Sequence, residues 1–340
     1  MVLRVFGDSI ADGSGADPFS TNSWRALLSS RLESNIVSYA HGGDMWADQA
    51  DEVYSVYANS GDISMIQLGV NDQRIYGTDV TKRGYYKLGM QALITWLAIG
   101  NKQTARSVTS NETGVWEDTA VYGIGRCART AGSTKTFTVS GTTIYIAHII
   151  SKGTYGPAGA FDVKIDGVTM GSYTTMCDPE LITYNGVPHG PRLLRYSGLP
   201  SGSHTVEIIV TASDRVYIDW VSGNEQSVKP RVLVANTILP YDYRWGGSEQ
   251  NIQDYNAVLN DVVNQLISDG LNIELVDLYS IINPNTDITF DALHPNNIGH
   301  SKIATSFEDK INAYTYSQTQ ITKRSDNTYF LNDLPMSTHF

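Results

Sequence analysis

MVLRVFGDSIADG, residues 1–13, opens the chain with an apolar run that stops at a glycine-flanked turn. Val2, Leu3, Val5 and Phe6 suit a strand buried on both faces, and Gly7-Asp8-Ser9 breaks that run abruptly. Ser9 therefore stands just past the carboxyl end of the strand. Ligands of open parallel sheets bind at that edge, and a serine on a tight turn there has an exposed hydroxyl and an available backbone N–H. A GDS turn alone is common, so its meaning depends on the rest of the chain.

Outward from this stretch, strand and helix patterns alternate. Residues 22–33 place Trp24, Leu27, Leu28 and Leu32 at helical spacing, and Asn35 to Tyr39 reads as a second strand. Trp46, Ala50, Val53 and Tyr57 predict a one-sided helix over 44–58; Ile63 to Leu68 predicts a third strand ending at Gly69-Val70-Asn71-Asp72, and 84–98 a further helix. This order is that of a doubly wound parallel sheet. It resumes at RVLVANTIL (Arg231 to Leu239), followed by a helix over 251–268 with Ile252, Tyr255, Leu259, Val262, Val263, Leu266 and Ile267 on one face and Gly270 closing it. Ile273 to Leu278 is a fifth strand. Asp291-Ala292-Leu293-His294-Pro295 precedes a last helix from about Asn297 to Ala313, and the polar tail from Tyr314 to Phe340 reads as an arm or partner-binding segment.

Between residues 101 and 228 the period changes to two: Phe137/Val139, Ile144/Ile146, Phe161/Val163/Ile165, Val206/Ile208/Val210 and Val216/Ile218/Trp220 alternate, separated by turns such as Asp166-Gly167. Short strands at such spacing predict an antiparallel β-sandwich or jelly roll inserted into the α/β body. The expected division is 1–100 with 229–313 for the body, 101–228 for the insert and 314–340 for the tail. An insert of this size is expected to form one wall of the cleft.

At 340 residues the chain exceeds a typical single core, which agrees with that division. A net charge of −11 argues against nucleic acid or an anionic membrane as partner, and no apolar run approaches the ~20 residues of a membrane helix. Strand residues begin directly after Met1 and leave no room for a signal peptide, so the protein either avoids that export route or is a fragment of a longer one. Cys127 and Cys177 have no metal-type spacing and read as two separate buried thiols. Neither metal nor cofactor is expected.

The chemistry follows from position, because each notable residue comes after a core strand. Ser9 follows the first, Gly42 and Gly43 the second, Asn71 the third, and Asp291 with His294 the fifth. A serine hydroxyl needs an imidazole to take its proton, and the imidazole needs a carboxylate to hold its tautomer. Asp291 and His294 supply both from one loop. An oxyanion then needs fixed donors: the Ser9 N–H, a glycine N–H and the Asn71 amide. Gly43, directly before Asp44, is chosen over Gly42. Asp8 and Asp72 read as turn-stabilising side chains, and His300 as an exposed residue of the last helix.

With those residues in view, the sequence resembles the SGNH (GDSL) hydrolases. The matching blocks are GDSIADG at Gly7 to Gly13, the HGGD glycine at Gly43, GVND at Gly69 to Asp72 and DALHP at Asp291 to Pro295. The resemblance covers 1–100 and 229–313. It implies a flavodoxin-like three-layer α/β/α fold with a five-stranded parallel sheet, and ester hydrolysis by Ser9, His294 and Asp291.

The expected mouth loops Gln73-Arg74-Ile75-Tyr76 and Tyr241-Asp242-Tyr243-Arg244-Trp245-Gly246-Gly247 mix aromatics with polar donors, which suits sugar rings. Arg74, Tyr76, Tyr241 and Trp245 are the candidate substrate-binding residues. The FDVKIDG and GLPSGSHTVEI segments look like those of carbohydrate-binding jelly rolls, and family members with such inserts are typically carbohydrate O-acetylesterases, some on bacteriophage tail spikes. The implied partner is an acetylated carbohydrate, met outside the cell or on a virion, with the insert or tail available for a homo-oligomer contact. A lipase or thioesterase of the same family, or an inactive sugar-binding module, are the rival readings.

Overall fold

The central sheet orders its strands Ile273–Val276, Arg231–Ala235, Ile63–Gln67, Leu3–Gly7 and Ile36–Ser38, all parallel. The computed structural model describes residues 2–151, 159–177, 183, 185–319, 322–323, 329–331 and 334–335. In chain order the strands run 5-4-3-1-2, so direction reverses between the first and third, and the ends of these two carry Ser9 and Asn71. That switch point is where doubly wound sheets open a crevice.

Alternate strand residues feed two separate cores. Phe6, Ile66, Val232 and Val234 face the helices Val80–Ala98 and Glu249–Ser268, which meet through Tyr86 and Tyr255, ring centroids 4.9 Å apart. Leu3, Val5, Met65, Leu233 and Ala235 face Trp24–Arg31 and Asn297–Thr319, joined by Trp24 stacked on Phe307 at 4.9 Å. Both faces of the sheet are thus covered, as the unbroken apolar strands require.

Four sequence expectations are corrected. The helix expected over 44–58 shrinks to Ala50–Ser55, and turns carry Gly43. Gln73 to Tyr76 is the end of a helix, Val70–Tyr76, and not a mouth loop. Ile267 is 44% exposed and leaves the buried face of its helix. The last helix continues to Thr319. The expected arm over 314–340 otherwise lies largely outside the described residues.

The described strands between Gln103 and Gly223 form two antiparallel sheets. One joins Val168–Thr174, Ala160–Ile165, Ser203–Val210, Thr134–Ser140 and Glu112–Thr113; the other joins His189–Ser197, Thr143–Ser151, Val216–Gly223, Arg126–Ala128 and Trp116–Asp118. Phe137, Phe161, Val163, Val206 and Ile208 pack against Ile144, Ile146, Val216 and Ile218 between them. Cys127 and Cys177 are both buried thiols.

Every residue of Thr143–Ser151 is buried, because its other face packs on the body: Tyr145, Ala147 and Ile149 belong to the core that holds Trp46 and Trp96. Trp96 and Trp220 meet at 5.8 Å, and Asp269 accepts from Tyr145 Oη and Arg195 Nε, each at 2.7 Å. Trp46 lies between two glycines. A Cβ on Gly89 would come within 2.0 Å of its ring, and one on Gly190 of the insert within 2.3 Å. The insert is therefore fused to the body through an apolar core.

Candidate active site

Gly7 ends the first strand at φ +146°, and a Cβ there would fall 2.0 Å from the Gln67 carbonyl oxygen. Only glycine allows the first and third strands to stay paired while the chain turns into the one-turn helix Ser9–Asp12. Asp8 caps that helix, its Oδ1 accepting from Ile10 N at 2.9 Å. Burial is complete and pushes the Asp8 carboxyl up to about 7, against the Ile10 and Ala11 N–H groups that hold it down.

The Asp291–His294 loop is over-determined. Ala292 takes φ +71°, a left-handed conformation costly for a residue with a Cβ. Asp291 Oδ1 compensates by accepting from Thr289 Oγ1 at 2.6 Å, Leu293 N at 2.9 Å and His294 N at 3.0 Å. Burial alone would raise this carboxyl, but the Thr289 hydroxyl and the two N–H groups outweigh it and hold it well below the usual carboxylate range. An ionised carboxylate can only accept, so the 2.7 Å contact from His294 Nδ1 to Asp291 Oδ2 fixes the proton on Nδ1. Nε2 then presents its lone pair to Ser9 Oγ, which donates to it at 2.8 Å.

Opposite the imidazole, Asn71 is 3% exposed; its Nδ2 donates to the Asp44 carbonyl at 3.0 Å and its Oδ1 accepts from Arg74 Nη1 at 3.1 Å. Among the described residues, neither Ser9 N–H nor Gly43 N–H has a protein acceptor. Ser9, Gly43, Asn71 and His294 line one pocket of about 220 Å³, with Ser14, Arg74, Trp245 and Leu293 completing it.

Two of the four substrate-binding candidates reach this pocket. Arg74 donates from Nε to the Trp245 carbonyl at 2.8 Å and lies 5.9 Å from the Trp245 ring, while Trp245 Nε1 donates to the Asp291 carbonyl at 2.7 Å. Tyr76 is 4% exposed inside the core, so its expected place at the mouth is corrected; the helical turn that aims Arg74 outward aims Tyr76 inward. Tyr241 is 57% exposed but does not line the pocket. Among the described residues none of the insert lines it either, where the insert was expected to form one wall of the cleft; Asn185 Nδ2 of the insert donates to Asp44 Oδ1 at 2.6 Å, behind the pocket.

His300, expected to be exposed, is fully buried and donates from Nε2 to the Ser14 carbonyl at 3.1 Å; burial lowers it to about 4. Asp72 is buried too, accepting from Trp46 N at 3.2 Å, and burial raises it well above its ordinary value. The sequence reading missed Gln49, which accepts from Gly7 N at 2.9 Å and donates to Asp44 Oδ2 at 2.5 Å and to the Tyr39 carbonyl at 3.0 Å. It ties the Ser9 turn to the Gly43 loop, and no local pattern marks it.

The family model for GDSL-like lipase/acylhydrolase matches residues 217–307, which include Asp291 and His294. A curated protein of Acetivibrio thermocellus, "Putative endoglucanase X", is 38% identical over 80 residues, covering 23% of this chain and 33% of that protein's length. Among solved structures, a carbohydrate acetylesterase from Sinorhizobium meliloti aligns over 92% of this chain and 99% of its own at 12% identity and a TM-score of 0.45. A family 3 carbohydrate esterase from Clostridium thermocellum aligns over 92% and 98% at 14% identity and 0.41. The CBM36-1 domain of a xylanase from the hindgut metagenome of Trinervitermes trinervoides aligns over 36% of this chain and 93% of its own, at 20% and 0.27. The family model begins in the last strand of the insert and runs through the half of the α/β body that follows it, so that stretch of the chain is similar to a GDSL-like lipase/acylhydrolase domain.

Proposed function

We propose that the protein is a serine esterase that removes O-acetyl groups from a glycan. The observation that carries this reading is the relay from Ser9 through His294 to Asp291, at 2.8 and 2.7 Å, on the wall of a pocket that also holds Asn71 and Gly43. Ser9 Oγ attacks the acetyl carbonyl while its proton passes to His294 Nε2. Asp291 stabilises the imidazolium. The developing oxyanion is held by Ser9 N–H, Gly43 N–H and the second Asn71 Nδ2 proton. Collapse returns the proton from His294 to the departing sugar hydroxyl and leaves acetyl-Ser9; a water activated by the same imidazole then releases acetate and restores the serine.

A volume of about 220 Å³ with the Arg74 guanidinium in its wall favours a short acyl group over the long chain of a lipase or thioesterase. The intact relay weighs against an inactive sugar-binding module. In this reading residues 1–100 with 229–313 are the hydrolase unit, 101–228 an inserted unit, and the site of action is extracellular, where polysaccharide is met. The test is acetate release across a panel of acetylated capsular, O-antigen and plant polysaccharides, beside turnover of acetyl and octanoyl p-nitrophenyl esters. Acetate from at least one glycan with a strong preference for the acetyl ester is expected; octanoyl preference would give the site to a lipase.

A further inference from the structure

We propose that Phe290, Tyr241 and Trp245 form a platform beside the pocket on which the pyranose rings flanking the acetylated one stack; this rests on the glycan esterase reading above. Phe290 is 99% exposed, Tyr241 57% and Trp245 52%. A phenylalanine left wholly in water gains nothing for the fold, and three large aromatics so exposed on two touching loops mark a binding surface.

The loops are laced together at the backbone of residues 290–292. Tyr241 N donates to the Ala292 carbonyl at 2.9 Å, Trp245 Nε1 to the Asp291 carbonyl at 2.7 Å, and Arg244 Nη1 to the Phe290 carbonyl at 3.4 Å. Arg244 is further held by Asp242, Nε to Oδ1 at 2.9 Å, and Arg74 fixes the Trp245 carbonyl from the pocket side. The rings are therefore presented on a preorganised frame that is continuous with the pocket through Trp245 and one residue from Asp291.

The occupant is a neutral sugar chain. Pyranose C–H faces pack on flat aromatic rings, and Asp242 and Arg244, on the loop that carries Tyr241 and Trp245, neutralise each other and so build no attraction for an anionic polymer there. Among its described residues the insert presents Val115, Val168 and Met176 as exposed large apolar side chains, none of them aromatic.

The test uses chemically acetylated cello-, xylo- and manno-oligosaccharides from monomer to tetramer. In the parent, KM for the preferred series falls roughly fivefold or more with length. Phe290→Ala and Tyr241→Ala flatten that dependence to within about twofold, and Phe290→Leu, which keeps apolarity without the flat face, does the same. Parent KM independent of length, or variants that retain the parent's dependence, would overturn the platform and leave the esterase reading standing. A parent that hydrolyses p-nitrophenyl acetate but releases acetate from none of the oligosaccharides would overturn both.

Discussion

Arg74 donates from Nη1 to Asn71 Oδ1 across 3.1 Å, and this one bond decides which end of the amide faces the pocket. With Oδ1 held by a cation and Nδ2 giving one proton to the Asp44 carbonyl, the second Nδ2 proton is the one that the proposed mechanism assigns to the oxyanion. Asn71→Ala is expected to lower kcat by roughly 10² to 10³ with a smaller change in KM, since the charge it stabilises appears only in the transition state. Arg74→Ala, a loss of positioning, is expected to lower kcat by roughly 10 to 10² and to add little in the Asn71→Ala background. Steady-state kinetics on p-nitrophenyl acetate check both; a rise in KM alone would make these residues substrate binders.

Asp8 makes stability depend on pH. Its folded value of about 7 lies above the ordinary carboxylate value because the group is buried, with Asp44 nearby pushing it up and Arg74 down. Both states hold the proton below about pH 4; between about 4 and 7 the unfolded chain releases it and the folded protein does not, so stability falls as pH rises through that window and then levels. Urea unfolding at pH 5 and pH 8 should show the parent losing on the order of 2 kcal/mol more than Asp8→Asn. Equal losses would contradict a protonated Asp8.

Gly190 carries the junction between insert and body. A methyl there would meet the Trp46 ring at 2.3 Å, and Trp46 is pinned by Asp72 next to the glycine loop. Gly190→Ala is expected to destabilise by roughly 1–3 kcal/mol in urea unfolding and to lower kcat, although it lies outside the pocket. Unchanged stability would mean that the two units are joined more loosely than their shared core implies.

The parts of the site legible in the sequence were those whose chemistry dictates a residue type at a strand end. Ser9, Asn71 and the Asp291–His294 loop fall there, and the structure brings them together. Periodicity likewise revealed the parallel body and the sandwich, because period 3.6 and period 2 are local. Burial that depends on distant packing was not legible. Tyr76 and His300 were misplaced because a helix turn and the Ser14 carbonyl decide their surroundings. The docking of the insert was hidden because it runs through Gly190, whose meaning lies in the indole it admits. Phe290 is an ordinary turn neighbour in sequence; only its full exposure gives it significance.

The central claim is that Ser9, activated by His294, is the nucleophile. Fluorophosphonate labelling followed by peptide mapping, on the parent and on Ser9→Ala, tests it most directly. The expected result is a single modified peptide containing Ser9 in the parent, no label in Ser9→Ala, and a fall in kcat on p-nitrophenyl acetate of roughly 10⁴ or more in a variant with the parent's circular dichroism spectrum. Labelling retained in Ser9→Ala, or activity within tenfold of the parent, would contradict it.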